Sequence, residues 1–116
     1  MKVFLSLDMS NEFEKQILVY SIENKKIDLN KALLTASREG HIDIVQLLLE
    51  TGKCDMDYQK NEYTALMLAS YNGRTDIVQL LLDAEADVNA RNENDKTALM
   101  IAEKESHKKI IDLLKT

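Results

Sequence analysis

The chain is poor in the residues that build turns and cross-links: among its 116 residues there is no proline, and there are only three glycines and one cysteine. Sandwiches and barrels need many turn residues, so this composition favours helices joined by short turns. The lone thiol, Cys54, excludes an internal disulfide and suits a reducing compartment. A redox or nucleophilic role would need an electropositive setting. We therefore interpret Cys54 as a small, partly buried side chain at the end of a helix.

Positive charge is also scarce, because 15 Lys and Arg residues stand against 20 Asp and Glu residues, a formal net charge of −5. Binding to nucleic acid requires a basic stripe, so we expect no nucleic-acid partner. No apolar segment is long enough to span a bilayer, so we expect no membrane partner. Residues 1–7 (MKVFLSL) resemble the start of a signal peptide, but Asp8 ends the apolar run too early. The prediction is a cytoplasmic, intracellular protein of one-domain length.

A repeated unit dominates the sequence. Residues 43–49 (DIVQLLL) recur unchanged as residues 76–82, a shift of 33 positions. A further shift of the same length places residues 64–67 (TALM) on residues 97–100. Seven identical residues in a row at a fixed period do not arise from composition, so the chain contains three copies of one unit.

Each unit is predicted to form two short helices with defined ends. Thr64 and Thr97 are predicted N-caps, and Gly40 and Gly73 supply the left-handed residue that ends a first helix. Apolar residues then recur at helical spacing and predict a second helix with one buried face. The first helices span about residues 31–38, 64–71 and 97–105, and the second helices about residues 42–50, 75–83 and 107–115.

The stretches outside these helices are of two kinds. Residues 55–63 and 87–96 lack helical periodicity and are rich in Asn and Asp, which favour turns, so each predicts an extended arm, a tight turn and an arm back. Residues 1–30 carry no clear copy of the unit. We expect a helix at about residues 11–23 that caps the stack, or a degenerate first repeat.

These features together resemble the ankyrin repeat, a 33-residue unit of one hairpin-like finger and two antiparallel helices. Residues 40–49 (GHIDIVQLLL) are similar to the family's Gly-His-x-x-Ile-Val-x-Leu-Leu-Leu, and residues 86–90 (ADVNA) match its Ala-Asp-Val-Asn-Ala. Residues 64–69 (TALMLA) stand where the family has Thr-Pro-Leu-His-x-Ala. The resemblance implies an all-α solenoid of stacked helix–turn–helix units. It covers about residues 31–116, with units at 31–63, 64–96 and 97–116.

Several positions depart from the family pattern. Leu34, Met67 and Met100 replace a His that ties one finger to the next in the family, so looser fingers are expected. We expect the two methionines to fill the space of the missing His, with a role as adaptable binding residues as the alternative. Residues 55–57 are one position out of step with residues 87–89, so one turn there should differ by a residue. Four residues stand where the family usually has Gly: Glu62, Glu85, Asp95 and Ser106.

Residues that would carry catalysis or bind a metal or cofactor are not predicted. His41 and His107 occupy equivalent positions in units one and three, too far apart for a shared metal. We interpret them as turn residues that bond to the backbone rather than as a metal or proton site. Acidic pairs such as Asp55 and Asp57 could serve in acid–base chemistry, but nothing places them in a cleft, and solvated surface is the simpler interpretation.

The resemblance also implies where a partner would bind. In the family, partners contact the finger tips and the exposed end of the first helix. Because Tyr and Arg dominate interface energies, Tyr58, Tyr63, Tyr71 and Arg91 are the principal candidates. Alternatively, Tyr63 and Tyr71 only cover the adjacent finger and helix. The full candidate set is Arg38, Glu39, Tyr58, Lys60, Asn61, Tyr63, Tyr71, Asn72, Arg91, Glu93, Asn94, Lys96, Lys104 and Glu105.

The leading functional hypothesis is a monomeric, non-catalytic module that binds another protein through its fingers and concave helix face. A second hypothesis is an acidic inhibitor or decoy that blocks a basic site on an enzyme or nucleic-acid-binding protein. A third is a structural cap that completes a larger repeat array. An enzyme is the class that the sequence supports least.

Overall fold

Six helices form three consecutive pairs in the part of the chain that the computed structural model describes, residues 28–60 and 63–116. The predicted N-terminal helix at residues 11–23 lies outside this part. None of the described helices is long and apolar enough to cross a bilayer. The helices are α1 (Leu29–Glu39), α2 (Ile42–Glu50), α3 (Ala65–Tyr71), α4 (Thr75–Asp83), α5 (Ala98–Lys104) and α6 (Lys108–Lys115).

The helices stack in two layers. The first helices contact one another in the order α1, α3, α5, and the second helices in the order α2, α4, α6. Ala36, Ala69 and Ala102 recur at intervals of 33 residues on the first helices, and all three are buried. Their small side chains let neighbouring first helices approach closely, while Val45 and Val78 on the second helices are fully buried between the layers.

The first helices begin where side-chain oxygens satisfy their free backbone N–H groups, whereas α2, α4 and α6 have no side-chain cap. Thr64 Oγ1 accepts a hydrogen bond from the Met67 N–H at 3.2 Å, and Thr97 Oγ1 accepts from Met100 at 3.3 Å. Both predicted N-caps are therefore confirmed, and such a cap stabilises a helix by about 1 kcal/mol. Helix α1 begins at Leu29 rather than at the predicted residue 31, because the Asp28 carboxylate caps it.

Left-handed backbone ends each first helix, as predicted. Gly40 and Gly73 have φ values of +83° and +72°, and Ser106 takes the equivalent place with φ +61°. Two further non-glycine residues, Glu85 and Asp95, have φ values of +65° and +64°. Glu85, Asp95 and Ser106 are three of the four residues that stand where the family has Gly. The left-handed backbone is therefore kept at these positions, although glycine, which favours it, has been replaced. The fourth, Glu62, lies outside the described residues.

A ladder of Asp and Asn side chains joins the units at the base of the fingers. Within a unit, Asp55 Oδ1 accepts from the Asp57 N–H at 2.9 Å. Between units, Asp57 Oδ1 accepts from the Asp87 N–H at 2.8 Å, just as Asn30 Oδ1 accepts from the Asp55 N–H. The predicted offset of one residue is confirmed, because Gly52 and Glu85 take equivalent left-handed positions, yet two residues separate Gly52 from Asp55 and only one separates Glu85 from Asp87.

Both predicted fingers are present. In the first, Lys60 and Tyr63 form an antiparallel bridge in which each N–H donates to the other's carbonyl. In the second, the Asn92 N–H donates to the Lys96 carbonyl, and the buried Asn92 side chain accepts from two N–H groups of the same turn. Gln59 Nε2 donates to the Arg91 carbonyl at 3.1 Å and so links the two fingers.

The residues that replace the family His behave differently along the stack. Leu34 and Met67 are buried, so the prediction that a large apolar side chain fills the vacated space is confirmed for Met67. It is wrong for Met100, whose residue is 40% exposed. Helix α3, which carries Met67, packs against the next first helix, α5, whereas none of the described helices packs beyond α5 on its outer side.

Candidate binding surface

Two neighbouring cavities lie between the fingers and the first helices. The first-finger cavity has a volume of about 440 Å³ and the second-finger cavity about 390 Å³. We call the two together the finger groove. The first-finger cavity is lined by Lys31, Leu34, Thr35, Arg38, Lys60, Tyr63 and Leu68. The second-finger cavity is lined by Tyr63, Tyr71, Asn92, Asn94, Lys96, Met100, Ile101, Lys104 and Glu105.

Tyr63 is common to both cavities and forms the wall between them. It directly precedes the N-cap Thr64, and its backbone is paired with Lys60 across the finger. Its side chain is half-buried and packs against the hydrophobic core. The ring is therefore held from two sides and still borders open space in both directions.

Tyr71 lies at the last position of α3 and is 53% exposed. The end of its helix is fixed from the next unit, because His107 Nε2 lies 3.1 Å from the Tyr71 carbonyl oxygen. The tautomer that carries a proton on Nε2 donates this bond. The interpretation of His107 as a turn residue that bonds to the backbone is thereby confirmed.

Arg74 makes the equivalent contact in the preceding unit. It occupies the position of His41 and His107 in unit two, and its Nε donates to the Arg38 carbonyl at 3.2 Å. The Arg74 guanidinium also covers Gly40, at which an added Cβ would lie 2.9 Å from it. The turn of each later unit thus fixes the end of the first helix before it, where a groove side chain is presented.

The groove follows two registers of the repeat. One is the end of the first helix, occupied by Arg38, Tyr71 and Lys104. The other lies one helical turn earlier and is occupied by Thr35, Leu68 and Ile101. The family pattern predicts the first register but not the second, although the i−3 spacing on a helix would have indicated it. The lining residues absent from every prediction are Lys31, Leu34, Thr35, Leu68, Asn92 and Ile101. Met100 also lines the second-finger cavity, in keeping with its alternative prediction as an adaptable binding residue.

The structure brings eight of the predicted binding residues to the groove and places five others outside it. Tyr58 is half-buried against the core and lines neither cavity. Arg91 is held within its own finger, since its Nη1 donates to the Asp95 carbonyl at 3.0 Å. Asn61 lies outside the described residues. The groove members are Arg38, Lys60, Tyr63, Tyr71, Asn94, Lys96, Lys104 and Glu105, and the described candidates outside it are Glu39, Tyr58, Asn72, Arg91 and Glu93.

Cys54, the one thiol of the chain, lies outside the groove. Burial raises the pKa of the Cys54 thiol, and a hydrogen bond with Thr51 opposes this effect more weakly. The thiol therefore stays protonated near neutral pH and is a poor nucleophile. Within residues 28–60 and 63–116, no group of three or more His, Cys, Asp or Glu side chains is placed to hold a metal ion.

Comparison with known proteins bears on this arrangement. A family model described as ankyrin repeats in three copies matches residues 4–92 and, in a second match, residues 33–116. The chain belongs to the ankyrin-repeat family. Ankyrin repeats are generally protein–protein interaction modules and are typically non-catalytic. A comparison with curated proteins gave no significant match. The first match begins upstream of the described residues, and the cap or degenerate repeat expected within residues 1–30 stays a prediction.

Proposed function

We propose that this ankyrin-repeat chain is a non-catalytic module that binds a partner protein through the finger groove, without a cofactor. The observation that carries the proposal is the placement of Tyr63 and Tyr71 in one cavity of about 390 Å³. Met100 and Ile101 give that cavity an apolar wall, and the second finger gives it a polar rim. Aromatic anchors in a pocket with a polar rim are typical of the residues that dominate protein interfaces.

The rigidity of the groove supports the same proposal. Tyr63 is fixed by the first finger, and the helix end that carries Tyr71 is fixed by His107. A surface that is ordered before binding loses little conformational entropy when a partner docks. A monomeric stack presents this surface directly. A chain with one cysteine forms no internal disulfide and suits a reducing, cytoplasmic setting.

An acidic inhibitor or decoy receives less support from this geometry. The finger groove carries five Lys and Arg residues against one Glu, so an acidic blocking surface would have to lie on another face. The described residues outside the groove do carry more acidic than basic side chains.

The proposal is tested by affinity capture from a lysate of the source cells. The native chain is compared with a Tyr63→Ala/Tyr71→Ala variant and with a Tyr58→Ala control, which removes a half-buried tyrosine outside the groove. Helicity and thermal unfolding establish first that each variant is folded. We expect a protein that is retained by the native chain and the control and lost by the double variant. Equal capture by all three chains, or no specific capture, would contradict the proposal.

A further inference from the structure

We infer that the finger groove selects an extended, acidic polypeptide segment that carries apolar anchor side chains. The inference rests on the proposed function and names the chemistry of the partner. Of the charged residues that line the groove, five are basic and only Glu105 is acidic, although the whole chain has a net charge of −5. The five basic residues are Lys31, Arg38, Lys60, Lys96 and Lys104.

The ammonium groups of the groove are available to a ligand. The ion pairs among the described residues join Arg38 to Glu39 and Arg91 to Asp95, and neither involves a lysine. Lys31, Lys60, Lys96 and Lys104 are all exposed. A carboxylate ligand would therefore meet lysines that no carboxylate of the described part of the chain already neutralises.

Acidic side chains of the described units serve other purposes. Asp43 and Asp76 lie in the first turns of α2 and α4, where negative charge suits the helix dipole. Asp55, Asp57 and Asp87 accept backbone hydrogen bonds in the ladder at the base of the fingers. Because these carboxylates have structural roles away from the groove, the positive charge is concentrated where the cavities lie. Complementary charge of this kind governs which partners associate and how fast.

The shape of the groove indicates an extended ligand. Tyr63 divides it into two cavities, and each has apolar residues in its wall: Leu34 and Leu68 in one, Met100 and Ile101 in the other. Stacked helices lie about 8–10 Å apart, and an extended chain advances about 3.3 Å per residue. Two apolar side chains about three residues apart would therefore reach both cavities. The flexible Met100 thioether can adapt to different anchors.

A peptide fits these observations better than a nucleic acid does. The basic residues are spread over two separated cavities, whereas a phosphate backbone carries a charge at every nucleotide and calls for a continuous basic stripe. A short segment with a few carboxylates placed between apolar anchors matches both the spacing and the limited number of cations.

The test is selection from a displayed library of random twelve-residue peptides on the full-length chain, followed by affinity measurement with one enriched peptide. A Lys60→Glu/Lys96→Glu variant reverses one exposed charge in each cavity. A Lys53→Glu/Lys109→Glu control makes the same change in net charge at exposed positions outside the groove. We expect enriched peptides to be acidic, with two apolar residues about three positions apart. We expect their affinity to fall about tenfold in the groove variant and less than about threefold in the control.

Neutral or basic enriched peptides would overturn the inference, as would no enrichment or an equal loss of affinity in both variants. Displacement of the acidic peptide by a single-stranded twelve-nucleotide RNA at similar concentration would point to a nucleic-acid partner and would also overturn it. If cellular capture depends on Tyr63 and Tyr71 but the selected peptides are not acidic, the inference is wrong and the proposed function still stands. When capture does not depend on the two tyrosines, the proposed function fails.

Discussion

His107 holds the helix end that presents Tyr71: the His107 Nε2 atom lies 3.1 Å from the Tyr71 carbonyl oxygen, across the boundary between units two and three. The same imidazole covers Gly73, since an added Cβ there would lie 2.9 Å from His107 Cε1. The His107 side chain therefore packs on the turn at Gly73, links units two and three, and fixes the helix end that carries Tyr71. The equivalent contact of Arg74 with Arg38 shows that this is a property of the position rather than of histidine.

Replacement of His107 by Ala is expected to weaken both stability and partner binding. The variant loses one hydrogen bond, so we expect the free energy of unfolding measured by urea titration to fall by about 0.5–1.5 kcal/mol. Affinity for the captured partner should fall as well, because the end of α3 is no longer fixed from unit three. Lys108→Ala, at the next and exposed position, is the control and should change neither quantity appreciably. Unchanged stability in the His107 variant would contradict the structural role.

Alanine substitutions at Gly52 and Gly73 distinguish the cost of left-handed backbone strain from the cost of a steric conflict. Gly52 and Gly73 have φ values of +67° and +72°, but nothing lies within 4 Å of a Cβ added at Gly52. Gly52→Ala should therefore cost only the left-handed strain, about 1 kcal/mol, and Gly73→Ala should cost more because it also meets His107. Chemical denaturation of both variants measures the difference, and equal losses of stability would count against the packing described for Gly73.

Replacement of Ser106, at the turn after α5, by glycine is expected to stabilise the chain. Ser106 holds φ +61°, a conformation that glycine adopts without steric cost. Ser106→Gly removes that cost but adds freedom to the unfolded chain, so we expect a net gain of about 0.5–1 kcal/mol. Thermal unfolding should show a higher midpoint. A lower midpoint would mean that the hydroxyl of Ser106 contributes more than the strain costs.

The ladder between units depends on an acceptor oxygen at residue 57. Asp57→Ala leaves the Asp87 N–H without its partner and should destabilise the chain by about 1 kcal/mol. Asp57→Asn keeps an oxygen in place, as Asn30 does at the equivalent position, and should retain most of the stability. Denaturant titrations of the two variants distinguish the hydrogen bond from the charge. If the Asn variant is as unstable as the Ala variant, the acceptor role is wrong.

Two buried hydroxyls offer a route to a more stable stack. Ser37 and Ser70 occupy equivalent places on α1 and α3, and both Oγ atoms are buried without a hydrogen-bond partner within the described part of the chain. An unpaired buried hydroxyl is unfavourable, so Ser70→Ala should raise the free energy of unfolding by about 0.5–1 kcal/mol. Ser37→Ala, at the equivalent place on α1, should give a gain of similar size. A decrease in stability on Ser70→Ala would show that the hydroxyl is paired in solution.

The sequence was sufficient to predict the stack because its signals are local and repeated. An N-cap Thr, a left-handed Gly and an apolar stripe each act over a few residues, and the 33-residue period then orders the units. The exposure of Met100 was not predictable in the same way, since burial at this register depends on whether another helix covers it. For the same reason Met67 and Met100 share a motif and differ in environment.

The groove was predicted incompletely for a related reason. The family pattern identified the ends of the first helices but not the residues one turn earlier, such as Thr35 and Leu68. It also grouped Tyr58 with Tyr63, although Tyr63 lines both cavities and Tyr58 lines neither. The basic character of the groove was not predicted, because the net charge of the whole chain does not show which face is positive and which is negative.

Site-specific photocrosslinking in a lysate of the source cells tests whether the partner binds in the finger groove. A photoreactive phenylalanine analogue replaces Tyr71 in the groove or, as a control, Gln46, which is exposed on α2 outside both cavities. The account predicts one crosslinked partner from position 71 and none from position 46. A crosslink from position 46 without one from position 71 would place the partner on another face and would contradict the account.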